Sequence, residues 1–251
     1  MKESPYIDIH CHLDICENRD EIIKRAEERG VGIIINQGIN PDSNRKSLRY
    51  SLESNVVKPA LGLYPIDALK MSDPEIEAEI EFIKRKKNLI LAIGEVGIDF
   101  KEDEFQHERQ KDIFKKMIAL SKEMGKPIIV HSRKAEEESI SILEEMRAKK
   151  VIMHCFSGKF NLIKKIISHG WYLTVPTNVK YSQQFQSLAK EVPLAQLFCE
   201  TDSPYLHPDK LKDNEPSNVI ESYNMLAIIK GLPLDDVRAM VWKNYQRVFE
   251  E

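Results

Sequence analysis

Short apolar runs alternate with longer amphipathic, charged stretches along the whole chain. The apolar runs predict strands at residues 6–10, 31–37, 57–63, 89–94, 127–131, 151–154, 171–175 and 197–201. Between them, apolar positions recur at helical spacing over 19–29, 41–53, 74–87, 104–124, 136–149, 160–168 and 182–191. Two further helical stretches, 216–230 and 234–249, follow the last strand. Runs such as Ile33-Ile34-Ile35 and Ile128-Ile129-Val130 are apolar at every position, as parallel strands covered on both faces require.

The punctuation agrees. Gly30, Gly125, Gly170 and Gly231 stand where helices should stop, because glycine takes a left-handed cap without steric penalty. Pro41 and Pro74 stand where helices should start, because the first turn does not use their missing N–H. Eight strand–helix units predict an α/β chain folded as a single (β/α)8 TIM barrel over residues 1–251, with an extra C-terminal helix. The competitor is an open doubly wound sheet. Its nucleotide-binding versions lose support, since no GxGxxG follows the first strand and no GxxxxGK[ST] occurs. There is no linker, low-complexity stretch or repeat. The basic run Lys84-Arg85-Lys86-Lys87 closes a predicted helix on the face opposite the strand ends and reads as a solvated helix terminus.

Charge limits what such a barrel does. Lysine plus arginine number 37 against 40 acids, a net charge of −3, which excludes a protein that coats nucleic acid through global basicity. A polyanionic substrate would have to be drawn by a local patch or a metal. Cys11, Cys16, Cys155 and Cys199 form no CxxC pair and read as reduced thiols. Met1 to Pro5 leads straight into a strand without a signal core, and no apolar run reaches membrane-spanning length. The expectation is a cytoplasmic protein, with no membrane association and no stable protein partner evident.

The informative pattern is positional. Five predicted strands end in potential metal ligands: His10 and His12 on the first, Glu95 on the fourth, His131 on the fifth, His154 on the sixth and Asp202 on the eighth. In a barrel those ends converge on the face where active sites are built. Side chains at i and i+2 leave a strand on one side, so His10 and His12 both face the barrel mouth and Cys11 packs behind them. Closure puts the eighth strand beside the first, gathering His10, His12 and Asp202. Strands four to six gather Glu95, His131 and His154, and Glu95 reaches both groups. That arrangement favours two divalent ions over one. A buried ion pair with lysine or arginine competes for Glu95, and a backbone-bonded core histidine competes for His131 or His154 taken singly.

Other residues read less sharply. Asp202 serves as proton acceptor from water besides its ligand role, or holds metal only. Arg133 is a candidate bidentate donor to phosphate, or a structural partner of Asp99 or Glu200. Ser157 and Lys159, at a helix start in the sixth loop, are candidate phosphate contacts. Asp8 and Glu200 face the barrel interior and read as supports for the ligands. His107, His169 and His207 read as surface, helix-end and loop residues. Mixed imidazole and carboxylate ligation suits zinc or manganese.

With these residues placed, the chain resembles the TatD-type metal-dependent deoxyribonucleases of the wider amidohydrolase barrel superfamily. The resemblance covers essentially the whole chain. It rests on Asp8-Ile9-His10-Cys11-His12-Leu13, Gly94-Glu95-Val96-Gly97-Ile98-Asp99, His131-Ser132-Arg133, His154-Cys155-Phe156-Ser157-Gly158 and Glu200-Thr201-Asp202-Ser203-Pro204-Tyr205. It implies a (β/α)8 barrel that hydrolyses DNA phosphodiesters, often from a 3′ end. It implies one ion on His10, His12 and Asp202, a second on His131 and His154, and Glu95 on both; magnesium joins zinc and manganese as a candidate. One departure stands out: many members carry histidine before proline after the third strand, where this chain has Gly62-Leu63-Tyr64-Pro65. Tyr64 is thereby a candidate substrate contact.

Three other readings compete. Amide or ester hydrolysis, including deacylation, would use the same ligands, because an activated water attacks carbonyl carbon as readily as phosphorus. A polymerase-and-histidinol-phosphatase barrel also begins with HxH but would want a terminal DxH, and here Ser203-Pro204 follows Asp202. A non-catalytic scaffold would show loss of ligands, and all six are present.

Overall fold

The structure is a computed structural model that describes residues 4–251. The reading of Met1–Glu3 as a lead-in lies outside the described residues. Eight parallel strands form one sheet in sequential order: β1 (Tyr6–Cys11), β2 (Val31–Gln37), β3 (Val57–Leu61), β4 (Ala92–Asp99), β5 (Ile128–Arg133), β6 (Val151–Met153), β7 (Tyr172–Pro176) and β8 (Leu197–Glu200). Parallel neighbours cannot be joined by a tight turn, so each connection crosses over through helix. The helices are α1 (Arg19–Glu28), α2 (Pro41–Glu53), α3 (Pro65–Leu69), α4 (Asp73–Arg85), α5 (His107–Met124), α6 (Glu136–Glu145), α7 (Phe160–Ser168), α8 (Gln183–Glu191), α9 (Val219–Lys230) and α10 (Leu234–Tyr245).

The sheet curls until β8 meets β1. Cys11 and Ser203 bridge in parallel. Asp202 N–H donates to the His10 carbonyl at 2.9 Å, and His12 N–H donates to the Ser203 carbonyl at 2.8 Å. Below them the Asp8 carboxylate accepts from Thr201 N–H at 2.9 Å and from its hydroxyl at 2.6 Å. These bonds zip the carboxyl end of β8 to that of β1, which sets Asp202 beside the two histidines. The core is largely apolar, and Ile7, Ile34, Ile93, Ile129 and Leu173 have no exposure at all, but it also encloses the polar side chains of Asp8, His10, Gln37, Thr174 and Glu200, which are equally unexposed.

Most predicted elements recur with shifted ends. Val31–Gln37, Pro41–Glu53 and Phe160–Ser168 fall on the predicted bounds. The four capping glycines have positive φ: Gly30 84°, Gly125 66°, Gly170 68° and Gly231 63°. The fourth strand differs most, running over Ala92–Asp99 rather than 89–94, because Gly94 and Gly97 interrupt the apolar run without ending the pairing with β5. The stretch predicted as helix to residue 149 stops at Glu145, where Arg147 turns left-handed. The stretch 216–230 divides into a 3-10 turn (Pro216–Asn218) and α9, and the last helix passes from α10 into a π turn (Gln246–Glu250). Helix α3 and its start at Pro65 went unpredicted, since five residues are too few for a periodicity to register. No helix among the described residues is long and apolar enough to cross a membrane.

Candidate metal centre

The six predicted side chains meet at the carboxyl ends of the strands, and Glu95 lies at their middle. One of its oxygens, Oε2, lies 3.4 Å from His10 Nε2 and 3.3 Å from His12 Nε2. The other, Oε1, lies 3.1 Å from His131 Nδ1 and 3.4 Å from His154 Nε2. Asp202 Oδ1 closes the first group at 3.6 Å from His10 Nε2 and 3.7 Å from His12 Nε2. His10, His12 and Asp202 could hold one ion, and Glu95, His131 and His154 another.

The backbone explains how a buried glutamate comes to stand there. The register of β4 against β5 shifts between Ile93 and Val96, a bulge that re-aims the side chain. Glycine is needed on both sides. A Cβ at Gly62 would run into the Gly94–Glu95 backbone, and one at Gly97, whose φ is 146°, would strike the carbonyl of His131. The glycines let β3, β4 and β5 close up around Glu95. Asp202 and Cys155 adopt left-handed φ of 54° and 42°. Non-glycine residues there cost energy, so neighbouring bonds must hold them. Cys155 N–H, for one, donates to Thr174 Oγ1 at 2.8 Å and Glu200 Oε1 at 3.0 Å.

Carboxylates back the second pair of histidines. His131 Nε2 lies 2.9 Å from Asp99 Oδ2, and Asp99 also accepts from the Tyr64 hydroxyl at 3.0 Å and from the N–H groups of Lys101 and Glu102. His154 Nδ1 lies 3.4 Å from Glu200 Oε2, and Glu200 accepts from the Thr174 hydroxyl at 2.6 Å. A carboxylate only accepts, so the facing ring nitrogens carry protons. That leaves His131 Nδ1 and His154 Nε2 as lone pairs aimed at Glu95 Oε1. Acceptor facing acceptor is repulsive unless a proton or a cation lies between. Likewise His10 Nε2 and His12 Nε2 face each other at 3.3 Å. Glu95 is 3% exposed and its ion-pair partners among the described residues are all histidines. The alternative of a lysine or arginine partner for it is therefore set aside. This donor set fits divalent cations.

The protonation pattern follows. Burial works against the charge on Glu95, yet His10, His12 and His131 hold its carboxyl well below the usual range. Burial, then the neighbouring His154, pushes His10 down to about 4, so this ring is neutral, as a ligand must be. Burial pushes Asp202 up to about 6, although His154 and His12 oppose it. Asp99 stays at about 2 despite burial because His131 and the Glu102 N–H favour its charge.

The centre floors a cavity of about 730 Å³. Tyr64, Arg133 and Ser157 line it with the metal-facing groups, whereas Lys159 caps the start of α7 in solvent and does not. Arg133 pairs with Glu102 at 3.4 Å rather than with Asp99 or Glu200, which His131 and His154 occupy. The Ser157 hydroxyl donates to Glu136 at 3.0 Å. Asp8 joins β1 to β8 as described, and Cys11 packs in the core with its thiol toward the Ile35 carbonyl. All four cysteines are free. His107 stacks on Phe100 and His169 on Trp171, both away from the centre.

The role of Asp99 was missed in the sequence reading. Its signal was present: Glu95 and Asp99 stand four apart on one strand, which places both on one face.

Comparison with known proteins agrees with this site. A family model described as "TatD related DNase" matches residues 7–250. An uncharacterized metal-dependent hydrolase of Methanocaldococcus jannaschii is 35% identical, over 100% of this chain and 99% of its own. The human protein named deoxyribonuclease TATDN3 is 31% identical, over 97% of this chain and 94% of its own. Among solved structures, the TatD homologue YjjV of Escherichia coli K12 superposes with a TM-score of 0.92 at 25% identity, covering 98% of each chain.

Proposed function

The chain belongs to the TatD family of metal-dependent hydrolases, and from that premise we propose that it is a deoxyribonuclease working from 3′ ends with two divalent ions. The observation that carries the proposal is Glu95, whose two oxygens each face a separate pair of histidines. His10, His12, Asp202 and Glu95 would hold one ion, and His131, His154 and Glu95 the other. Zinc, manganese or magnesium bound there supplies a water activated at neutral pH and positive charge against the attacked diester.

The chain's own groups do the rest. Asp99 and Glu200 fix which nitrogen of His131 and His154 is presented. Asp202, with a side chain 15% exposed at the cavity floor, accepts the proton of the attacking water. Arg133 swings from its exposed, 3.4 Å pairing with Glu102 to a phosphate oxygen, an exchange that costs little because such surface pairs are weak. Tyr64 walls the site while its hydroxyl steadies Asp99. A cavity of about 730 Å³ above these residues has room for the end of a strand. The name deoxyribonuclease borne by the human relative supports the same substrate.

The test is a panel of 3′-labelled oligonucleotides and N-acyl amino acids, each assayed with zinc, manganese and magnesium. Stepwise loss of 3′ nucleotides, abolished in Glu95→Gln and His131→Ala, is the expected result. Turnover of acyl substrates alone, or unchanged hydrolysis in both variants, contradicts it.

A further inference from the structure

Beside the candidate metal ligands, the cavity carries a large, open aromatic side chain. Tyr205 follows Asp202 by three residues, is 55% exposed, and lines the cavity. Its backbone is fixed, since its N–H donates to the Asp202 carbonyl at 2.8 Å and the next residue, Leu206, takes a left-handed φ of 56°. Its ring stands at 68° to the ring of His12, with 6.5 Å between centroids. Ile15, 47% exposed in the loop after β1, lines the same cavity. Tyr205 and Ile15 thus present apolar surface in the same cavity as a polar centre.

Charge alone does not account for the recognition. Two basic side chains line the cavity: Lys70, paired with Asp67 at 2.8 Å, and Arg133, whose exposed pairing with Glu102 at 3.4 Å yields to a phosphate. Contacts to phosphate leave the base itself ungripped.

We propose that Tyr205 is a specificity-determining residue that stacks on a nucleobase at the 3′ end while the adjoining phosphate reaches the metal centre. This rests on the nuclease reading above and adds what part of the substrate is gripped. Ile15 packs against the same base or its sugar. Stacking tolerates any base, so the preference is for the presence of a base and not for its identity.

The experiment uses the metal-loaded full chain and single-stranded oligonucleotides that carry an abasic residue at the last or the penultimate 3′ position. In the wild type, one of these removals raises KM about tenfold, the range expected for loss of one base–aromatic stack. Tyr205→Ala shows the same rise with intact DNA and no further rise with the abasic strand; Tyr205→Phe, which keeps the ring, behaves as wild type. Metal content, measured in parallel, is unchanged in both variants. Equal penalties for the abasic strand in the wild type and in Tyr205→Ala overturn the inference while the nuclease reading stands. No cleavage of any strand by the metal-loaded wild type overturns the nuclease reading, and the inference with it.

Discussion

Asp99 Oδ2 lies 2.9 Å from His131 Nε2, so the ring nitrogen that faces Glu95 is the one left with a lone pair. Asp99 touches no other ligand; it acts by holding one imidazole in one tautomer and one orientation. Asp99→Asn keeps the shape but can donate an N–H to the ring and reverse the tautomer. Loss of such a partner costs roughly 10- to 100-fold in metal affinity. Zinc titration of the metal-free chain should show one binding event weakened by that factor and the other little changed. Two equally weakened events would point to general loosening of the fold instead.

Gly97 is the second place where one atom decides the geometry. Its φ of 146° and the His131 carbonyl against it exclude a Cβ. Gly97→Ala should lower stability by about 1–3 kcal/mol, the usual cost of such a backbone conformation in a non-glycine residue. Urea unfolding of the metal-free protein measures this apart from binding. An unchanged midpoint would mean that β4 relaxes freely away from β5.

The rest of the fold was legible to different depths. Runs like Ile33-Ile34-Ile35 report burial on both faces, and glycines such as Gly125 report a left-handed backbone that glycine adopts without strain, so the barrel and its helix ends could be read directly. The meeting of His10, His12, Glu95, His131, His154 and Asp202 was legible for a related reason, since barrel closure brings the carboxyl ends of the strands together. Arg133 was not: long charged side chains choose partners in three dimensions, and Glu102, in the loop after β4, was invisible to a reading based on strand order. The limits of β4 were also hidden, because its bulge breaks the two-residue alternation on which strand reading depends.

Removing the metal should cost stability. A ligand present at a thousand times its dissociation constant contributes about 4 kcal/mol, and for a chain of this size each kcal/mol moves the melting temperature by about 2–4 °C. Chelation should therefore lower the melting temperature by roughly 10 °C or more, and re-addition of zinc or manganese should restore it. A melting curve indifferent to chelator would argue that Glu95 and the histidines are satisfied by one another.

Metal affinity should rise with pH. Burial disfavours charge on His12, His131 and His154, but Glu95, joined by Asp99 at His131 and Glu200 at His154, more than offsets it and raises all three. In the metal-free chain these rings keep their protons to higher pH than a free imidazole, and an incoming cation must displace them. Affinity thus falls as pH drops through the raised values, and binding releases protons. Calorimetry in two buffers of different ionisation enthalpy measures that release, and identical heats in both would contradict it.

The most direct test is anomalous diffraction from crystals of the zinc- or manganese-loaded protein. Two peaks per chain are predicted, one on each side of the Glu95 carboxylate and about 3.5–4 Å apart, as in other paired-metal hydrolases. One peak alone, or peaks away from Glu95, would contradict a two-ion centre bridged by this glutamate.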